Sequence, residues 1–162
     1  MINDDEKISF DLKRIGVAAD HAGFELKENL KKMLLDIEYN VVDFGNSRMQ
    51  PDDDYPDYII PLARAIADGT VTHGIAVCGS GVGACIAANK IAGVRACLIH
   101  EKFSAHQGVE DDDMNMICLG GRIIDLSLAW ELTSIFLSAK FSREERHLLR
   151  LKKISALENS QK

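Results

Sequence analysis

Short apolar runs of strand type alternate along this chain with longer stretches whose apolar residues recur at helical spacing. Glycine or polar residues close the apolar runs before the helical stretches begin. Such regular alternation is typical of parallel strands that are joined by crossover helices. We therefore predict an α/β fold: a Rossmann-like three-layer α/β/α sandwich with a five-stranded parallel sheet and an extra C-terminal helix.

The same patterns give the bounds of the predicted elements. Strands are predicted at residues 14–19, 40–44, 74–77, 94–99 and 116–119. The main helices are predicted at 24–34, 59–67, 84–90, 126–139 and 143–157. Residues 46–56 are predicted to form a polar loop, and residues 102–113 a short helical or loop segment.

Length and composition indicate one domain, which we assign to residues 13–162. The chain has 162 residues, 46% of them hydrophobic, and can bury an adequate core. Residues 1–12 are acidic and lack an apolar segment, so we expect a disordered tail rather than a signal peptide. The net charge of −6 argues against a nucleic acid or an anionic membrane as the partner. No apolar run approaches the roughly 18 residues that span a bilayer.

The four cysteines, Cys78, Cys85, Cys97 and Cys118, lie in or beside apolar runs. Their spacings fit neither a zinc site nor a redox Cys-x-x-Cys pair. We expect buried free thiols and a cytoplasmic protein, because thiols persist in a reducing compartment. Of the four cysteines, only Cys78 lies next to a segment whose residues indicate a binding site.

That segment is a glycine-rich loop after the third predicted strand. Glycines at alternate positions 79, 81 and 83 follow Cys78, and a helical stretch begins directly afterwards. Such a loop can present backbone N–H groups to an anion, and the helix adds the positive end of its dipole. A cysteine beside this arrangement sits where a thiolate is stabilised. The segment therefore predicts chemistry on an anionic small molecule.

Polar or reactive residues also follow the other predicted strands. Because ligands of such sheets bind beyond the carboxyl ends of the strands, this convergence predicts a site there. The residues at the exits are Asp20 and His21, Gly45 and Asn46, Cys78 to Ser80, His100, and Gly120 to Arg122.

Each candidate also has a simpler structural explanation. Asp20 can cap the first helix, and the glycines can serve a tight turn. Arg146 and Arg150 can form a solvated helix face, although their spacing of four also suits a phosphate. The acidic run 110–113 can be a solvated loop, and we expect His73 and His106 at the surface.

Several separated motifs, in order, resemble the ribose-5-phosphate isomerase B family, which also includes the galactose-6-phosphate isomerase subunits. The resemblance extends from about Arg14 to Glu158. The motifs are GVAADHAG at 16–23, DYPDY at 54–58, CGSGVG at 78–83 with IAANK at 86–90, GVRA at 93–96, GGR at 120–122, and Arg146-His147 with Arg150.

The resemblance implies an aldose–ketose isomerase of carbohydrate metabolism that uses neither a metal nor an organic cofactor. It implies a homodimer or a dimer of dimers whose sites are shared between subunits. Cys78 matches the base that moves a proton between C1 and C2, and Ser80 matches a hydroxyl that assists it. The matched substrate contacts are the loop residues Gly79, Gly81, Val82 and Gly83, the sugar contacts Asp20, His21 and Tyr55, and the substrate or phosphate contacts Arg122, Arg146 and Arg150.

The chain departs from the family at Asp111 and Asp112. Many members have a ring-opening histidine followed by asparagine at these positions. Crowding by neighbouring acids can raise a carboxyl pKa, so Asp111 is one candidate for the ring-opening acid and Asp112 for a substrate contact. The alternative is that water or His106 opens the sugar ring in place of Asp111. The departure leaves three functions open: an isomerase of ribose 5-phosphate, an isomerase of a six-carbon galactose 6-phosphate or allose 6-phosphate, and a sensor that binds a sugar phosphate without turnover.

Overall fold

A computed structural model describes residues 13–160, and its centre is a sheet of five parallel strands. The strands are β1 (Arg14–Ala19), β2 (Asn40–Asp43), β3 (His73–Cys78), β4 (Ala96–Leu98) and β5 (Met116–Gly120). Their order in the sheet is β2-β1-β3-β5-β4. The chain runs outward from β1 to β2 and then crosses to β3 on the other side. The adjacent ends of β1 and β3 therefore form the switch point at which such sheets bind ligands.

Six helices of the described residues cover the two faces of this sheet. They are α1 (Phe24–Asp36), α2 (Pro56–Ala67), α3 (Val82–Ala88), α4 (Lys102–Asp112), α5 (Leu126–Ser138) and α6 (Glu145–Ser160). Alternate strand residues point to opposite faces. Ile15 and Val17 pack with α1, α4 and α5, whereas Ala18 and Ala76 pack with α2 and α3. The predicted three-layer sandwich and its extra C-terminal helix are confirmed.

The structure differs from the predicted bounds at a few places. Residues 102–112 form a full helix, because the Glu101 side chain accepts hydrogen bonds from the N–H groups of Phe103 and Ser104. β4 is shorter than predicted, since Val94 closes a turn with Ile91. The predicted N-terminal tail at 1–12 lies outside the described residues. Among residues 13–160, none of the helices combines the length and apolar character that a membrane span requires.

Candidate active site

Cys78 lies at the carboxyl end of β3, beside the switch point. The residue is buried, with 4% exposed, and the backbone N–H of Gly81 donates a hydrogen bond to its sulfur over 3.2 Å. Gly81 has a φ of 81°, a conformation that suits glycine, and α3 begins at the next residue. The loop thus turns a backbone N–H toward the sulfur.

The loop is fastened to the exit of β5. The N–H of Gly121 donates to the carbonyl of Cys78 over 2.8 Å, and the N–H of Arg122 donates to the carbonyl of Gly79 over 3.0 Å. The Ser80 side chain is exposed, and its hydroxyl accepts the N–H of Val82 over 3.3 Å. Hydrogen bonds therefore join the loop to the residues that follow the neighbouring strand.

Tyr55 and Arg122 lie on either side of this loop. A Cβ atom at Gly83 would stand 2.6 Å from the Tyr55 ring, so only glycine permits this close approach. The Nη1 atom of Arg122 lies 3.6 Å from the position that a Cβ of Gly79 would take. The structure thus gathers an aromatic hydroxyl and a guanidinium group around the glycine loop.

Asp20 follows β1, whose last residue Ala19 pairs with Val77. Its buried carboxylate accepts the N–H groups of Ala22 and Gly23 over 3.0 and 3.1 Å. The prediction that Asp20 caps the first helix is wrong: Gly23 is the N-cap of α1, and no side chain caps it. Asp20 instead holds the turn that leads into the helix. It places the carboxylate one strand away from Cys78.

His21 is bound by Asp53, a residue that our sequence analysis did not select. The backbone N–H and the Nδ1 atom of His21 both lie 2.8 Å from Asp53 Oδ1. The side-chain hydrogen bond from Asp53 raises the pKa of His21 against the opposing effect of burial. Burial of Asp53 favours its neutral form, but hydrogen bonds from His21 and Asn46 outweigh it and lower the Asp53 pKa. Both shifts favour the charged forms, an imidazolium beside a carboxylate.

Asp20, His21 and Asp53 also form a set of three possible metal ligands among the described residues. One ligand atom of each lies within 4.8 Å of the others. These side chains have other partners, since Asp53 binds His21 and Asp20 accepts backbone N–H groups. The contacts describe an ion pair beside a hydrogen-bonded turn, and that no metal is used stays a prediction.

Asp111 and Asp112 lie at the other end of the sheet. α4 returns from the carboxyl end of β4 to the amino end of β5, and Cys78 pairs with Gly120 at the far end of β5. The four-residue rise from Met116 to Gly120 spans about 13 Å. One copy of the chain therefore does not bring Asp111 to Cys78.

The surroundings of Asp111 belong to α4 and α6. Asp111 Oδ2 accepts the Gln107 side-chain N–H over 2.8 Å, and its Oδ1 lies 3.3 Å from Nε2 of His147, which is buried. Arg146 and Arg150 are exposed on the same helix, and Arg146 Nε donates to Glu144 over 2.8 Å. These arginines thus accompany Asp111, and not the Cys78 loop, within one copy.

The two histidines that we expected at the surface, His73 and His106, differ from each other. His106 is exposed on α4, where its Nε2 lies 3.2 Å from Glu110. The expectation that His73 lies at the surface is wrong. His73 opens β3 and packs edge-on against Phe136 of α5 at 5.4 Å between ring centroids, and burial lowers its pKa to about 4.

Known proteins resemble this chain over most of its length. Ribose-5-phosphate isomerase B of Escherichia coli (strain K12) is 37% identical over 147 residues, 91% of this chain and 97% of that protein. D-erythrulose-4-phosphate isomerase of Pectobacterium atrosepticum is 36% identical over 127 residues, 78% of this chain and 84% of that protein.

Comparison of the structures identifies similar proteins. The crystal structure of ribose-5-phosphate isomerase B from Mycoplasma genitalium with bound ribulose-5-phosphate has a TM-score of 0.86 and 35% identity, over 90% of this chain and 96% of that one. The family profile described as Ribose/Galactose Isomerase matches residues 15–154. The chain belongs to this ribose/galactose isomerase family of sugar phosphate isomerases.

Proposed function

We propose that this protein interconverts ribose 5-phosphate and ribulose 5-phosphate, with Cys78 as the proton-transferring base. The observation that carries the proposal is the hydrogen bond from the Gly81 N–H to the Cys78 sulfur, at the carboxyl end of β3. It gives the sulfur an amide donor at the edge of the sheet where ligands of this architecture bind.

In the proposed reaction, the Cys78 thiolate takes the proton from C2 of the aldose. The electron pair of that C–H bond moves to form the C1–C2 double bond, and the carbonyl oxygen becomes the enediolate oxyanion. Amide N–H groups of loop 79–83 stabilise this charge, and the Ser80 hydroxyl passes a proton between the two oxygens. The thiol then returns the proton to C1. The same amides serve the thiolate and the oxyanion in turn, so little reorganisation is needed.

The anionic end of the substrate is held by residues of two subunits in this proposal. Asp20, His21, Tyr55 and Arg122 lie around the Cys78 loop, whereas Asp111, Asp112, Arg146 and Arg150 lie at the opposite end of the sheet. A homodimer, or a dimer of dimers, can place the second group of one copy against the loop of another. Paired guanidinium groups suit a phosphate dianion.

A second candidate substrate is a four-carbon sugar 4-phosphate, and Asp111 favours it. The oxygen at C4 of such a sugar is esterified, so the sugar cannot close a five-membered ring and needs no ring-opening acid. The Pectobacterium atrosepticum relative is named as an isomerase of this kind. A six-carbon sugar phosphate remains the other alternative, because the matched family is described as Ribose/Galactose Isomerase.

The four cysteines support a reducing compartment, the cytoplasm. Cys78, Cys85, Cys97 and Cys118 are free thiols in the structure. Oxidation of Cys78 would remove the proposed base, so a reducing medium keeps the proposed enzyme active.

The test is a panel of four-, five- and six-carbon aldose and ketose phosphates, with wild type and Cys78→Ala in parallel. We expect turnover of ribose 5-phosphate by wild type, exchange of solvent deuterium into C1 and C2 of ribulose 5-phosphate, and loss of both in Cys78→Ala. Preference for the four-carbon substrate would replace the substrate assignment but keep the mechanism. Tight binding without deuterium exchange would identify a sensor instead.

A further inference from the structure

We propose that Asp53 is a positioning residue that holds His21 as a cation, with its Nε2–H turned toward the anionic group of the substrate. This inference rests on the proposed function, and it adds a residue to which no role has been attached so far. Asp53 lies in the acidic loop before α2, next to two other aspartates that do not touch His21 in the described part of the chain.

The geometry fixes both the position and the rotamer of the histidine. A single oxygen, Asp53 Oδ1, lies 2.8 Å from the His21 backbone nitrogen and 2.8 Å from its Nδ1. The His21 side chain is 31% exposed and that of Asp53 is 4% exposed, so the carboxylate lies beneath the ring. The contacts of His21 within residues 13–160 run through its backbone nitrogen and Nδ1, so Nε2 is the ring atom left for a ligand.

Asp53 is itself held by a buried network. Its Oδ2 accepts the Asn46 side-chain N–H over 3.1 Å, and the Asn46 carbonyl accepts Lys27 Nζ over 2.6 Å. Lys27 is 0% exposed and also binds Asp43. A site group that must keep its orientation needs this kind of support from surrounding hydrogen bonds.

The charges around the ring favour its cationic form. Asp53 and Asp20 are the charged groups that face His21 among the described residues, and both are acidic. Tyr58 is the other titratable group against Asp53; burial and the neighbouring carboxylates raise its pKa, so it stays neutral. His21 therefore keeps its proton to a higher pH than an ordinary histidine, and it can bind an anion over that range.

The alternative is that Asp53 only fastens the loop 46–56 and has no effect on substrate. The two roles differ in their pH dependence. A loop fastener affects activity alike at every pH, whereas a residue that keeps His21 charged matters most where an unassisted histidine would be neutral.

The decisive variant is Asp53→Asn, which keeps an oxygen acceptor but removes the charge, with Asp52→Asn as the matched control in the same loop. We expect KM for ribose 5-phosphate, and the inhibition constant for inorganic phosphate, to rise roughly tenfold at pH 8 and much less at pH 6. In a His21→Asn background, Asp53→Asn should add no further loss.

A second readout needs no turnover. The His21 ring, followed by NMR in the wild-type protein, should titrate above the ordinary pKa of ~6.5, and Asp53→Asn should lower it. A His21 pKa at or below the ordinary value, or equal losses of activity at both pH values, would overturn the proposal. If wild type turns over no sugar phosphate, the proposed function fails, and the NMR titration still decides the role of Asp53.

Discussion

The backbone N–H of Gly81 donates to the Cys78 sulfur over 3.2 Å, from a glycine whose φ is 81°. A Cβ at Gly81 would stand 2.5 Å from the Leu98 side chain and 3.0 Å from the Leu119 backbone carbon. Gly81→Ala must therefore move the loop and misplace this N–H. We expect kcat to fall on the order of a hundredfold, as when one oxyanion donor is lost.

The matched control is Gly69→Ala. Gly69 has the same φ of 81° but nothing within 4 Å of an added Cβ. Alanine is strained at this positive φ, so both variants should lose about 1–2 kcal/mol of the free energy of unfolding. Urea denaturation measures this loss. Kinetics at saturating substrate should show the loss of kcat only in Gly81→Ala; similar kcat values in the two variants would contradict a role for the Gly81 amide.

A mixing experiment tests whether the site is shared between subunits. Cys78→Ala and Arg150→Ala should each be nearly inactive. If Cys78 of one copy works with Arg150 of another, a refolded equimolar mixture contains mixed dimers with one intact site. Random pairing then restores about a quarter of the wild-type activity.

The control is a mixture of Cys78→Ala with Ser80→Ala, two residues of the same loop. Mixed dimers of this pair contain no intact site, so activity should stay at the level of the separate variants. No recovery in the Cys78 and Arg150 mixture would place Cys78 and Arg150 of one site in the same subunit. Recovery in the control mixture would show that activity returns without an intact site, so the gain in the first mixture would not support a shared site.

The strands, the glycine loop and the strand-exit residues could be predicted because each depends on local pattern. The role of Asp53 could not be predicted, since nothing in the sequence of residues 52–54 distinguishes one aspartate from its neighbours. Its contact with His21 spans 32 residues and exists only once β1 and the loop before α2 are folded together. His73 was misjudged for the same reason, because its neighbour Phe136 comes from a distant helix.

Asp111→Asn tests the ring-opening role. If Asp111 is the acid that opens the furanose, the variant should lose roughly 10²-fold or more in kcat/KM on ribose 5-phosphate. Its kcat/KM on erythrose 4-phosphate should fall little, because that sugar forms no furanose ring. Steady-state kinetics on both substrates make the comparison, with Asp113→Asn, the next carboxylate but one, as the control. Equal losses on the two substrates would rule out this role.

Lys27 is fully buried, and its substitution should destabilise the fold. Its Nζ lies 3.0 Å from Asp43 Oδ1, 2.6 Å from the Asn46 carbonyl and 2.8 Å from Glu28. Lys27→Met leaves the buried Asn46 carbonyl without its donor, and we expect the free energy of unfolding to fall by about 3 kcal/mol.

Lys31 provides the control for Lys27, because it binds the same two carboxylates, Glu28 and Asp43, from a partly exposed position. Lys31→Met should cost about 1 kcal/mol or less. Urea denaturation of both variants gives the comparison, and a loss in Lys31→Met as large as that in Lys27→Met would contradict the importance of the buried position.

The protein should lose stability in acid partly through His73. Burial, with a smaller effect of the Lys13 charge, lowers its pKa to about 4 in the fold, against ~6.5 in the unfolded chain. The unfolded state therefore binds more protons between these values, and stability falls as the pH drops from about 6.5 to 4. Between pH 7 and pH 4.5 this effect amounts to about 2 kcal/mol.

His73→Gln removes this titration and leaves the other acid-sensitive groups unchanged. In urea denaturation at pH 7 and pH 4.5, the wild type should lose about 2 kcal/mol more than His73→Gln. His106→Gln, at an exposed position of α4, should lose as much as the wild type. If His73→Gln and the wild type lose the same stability over this range, His73 is not buried as a neutral ring.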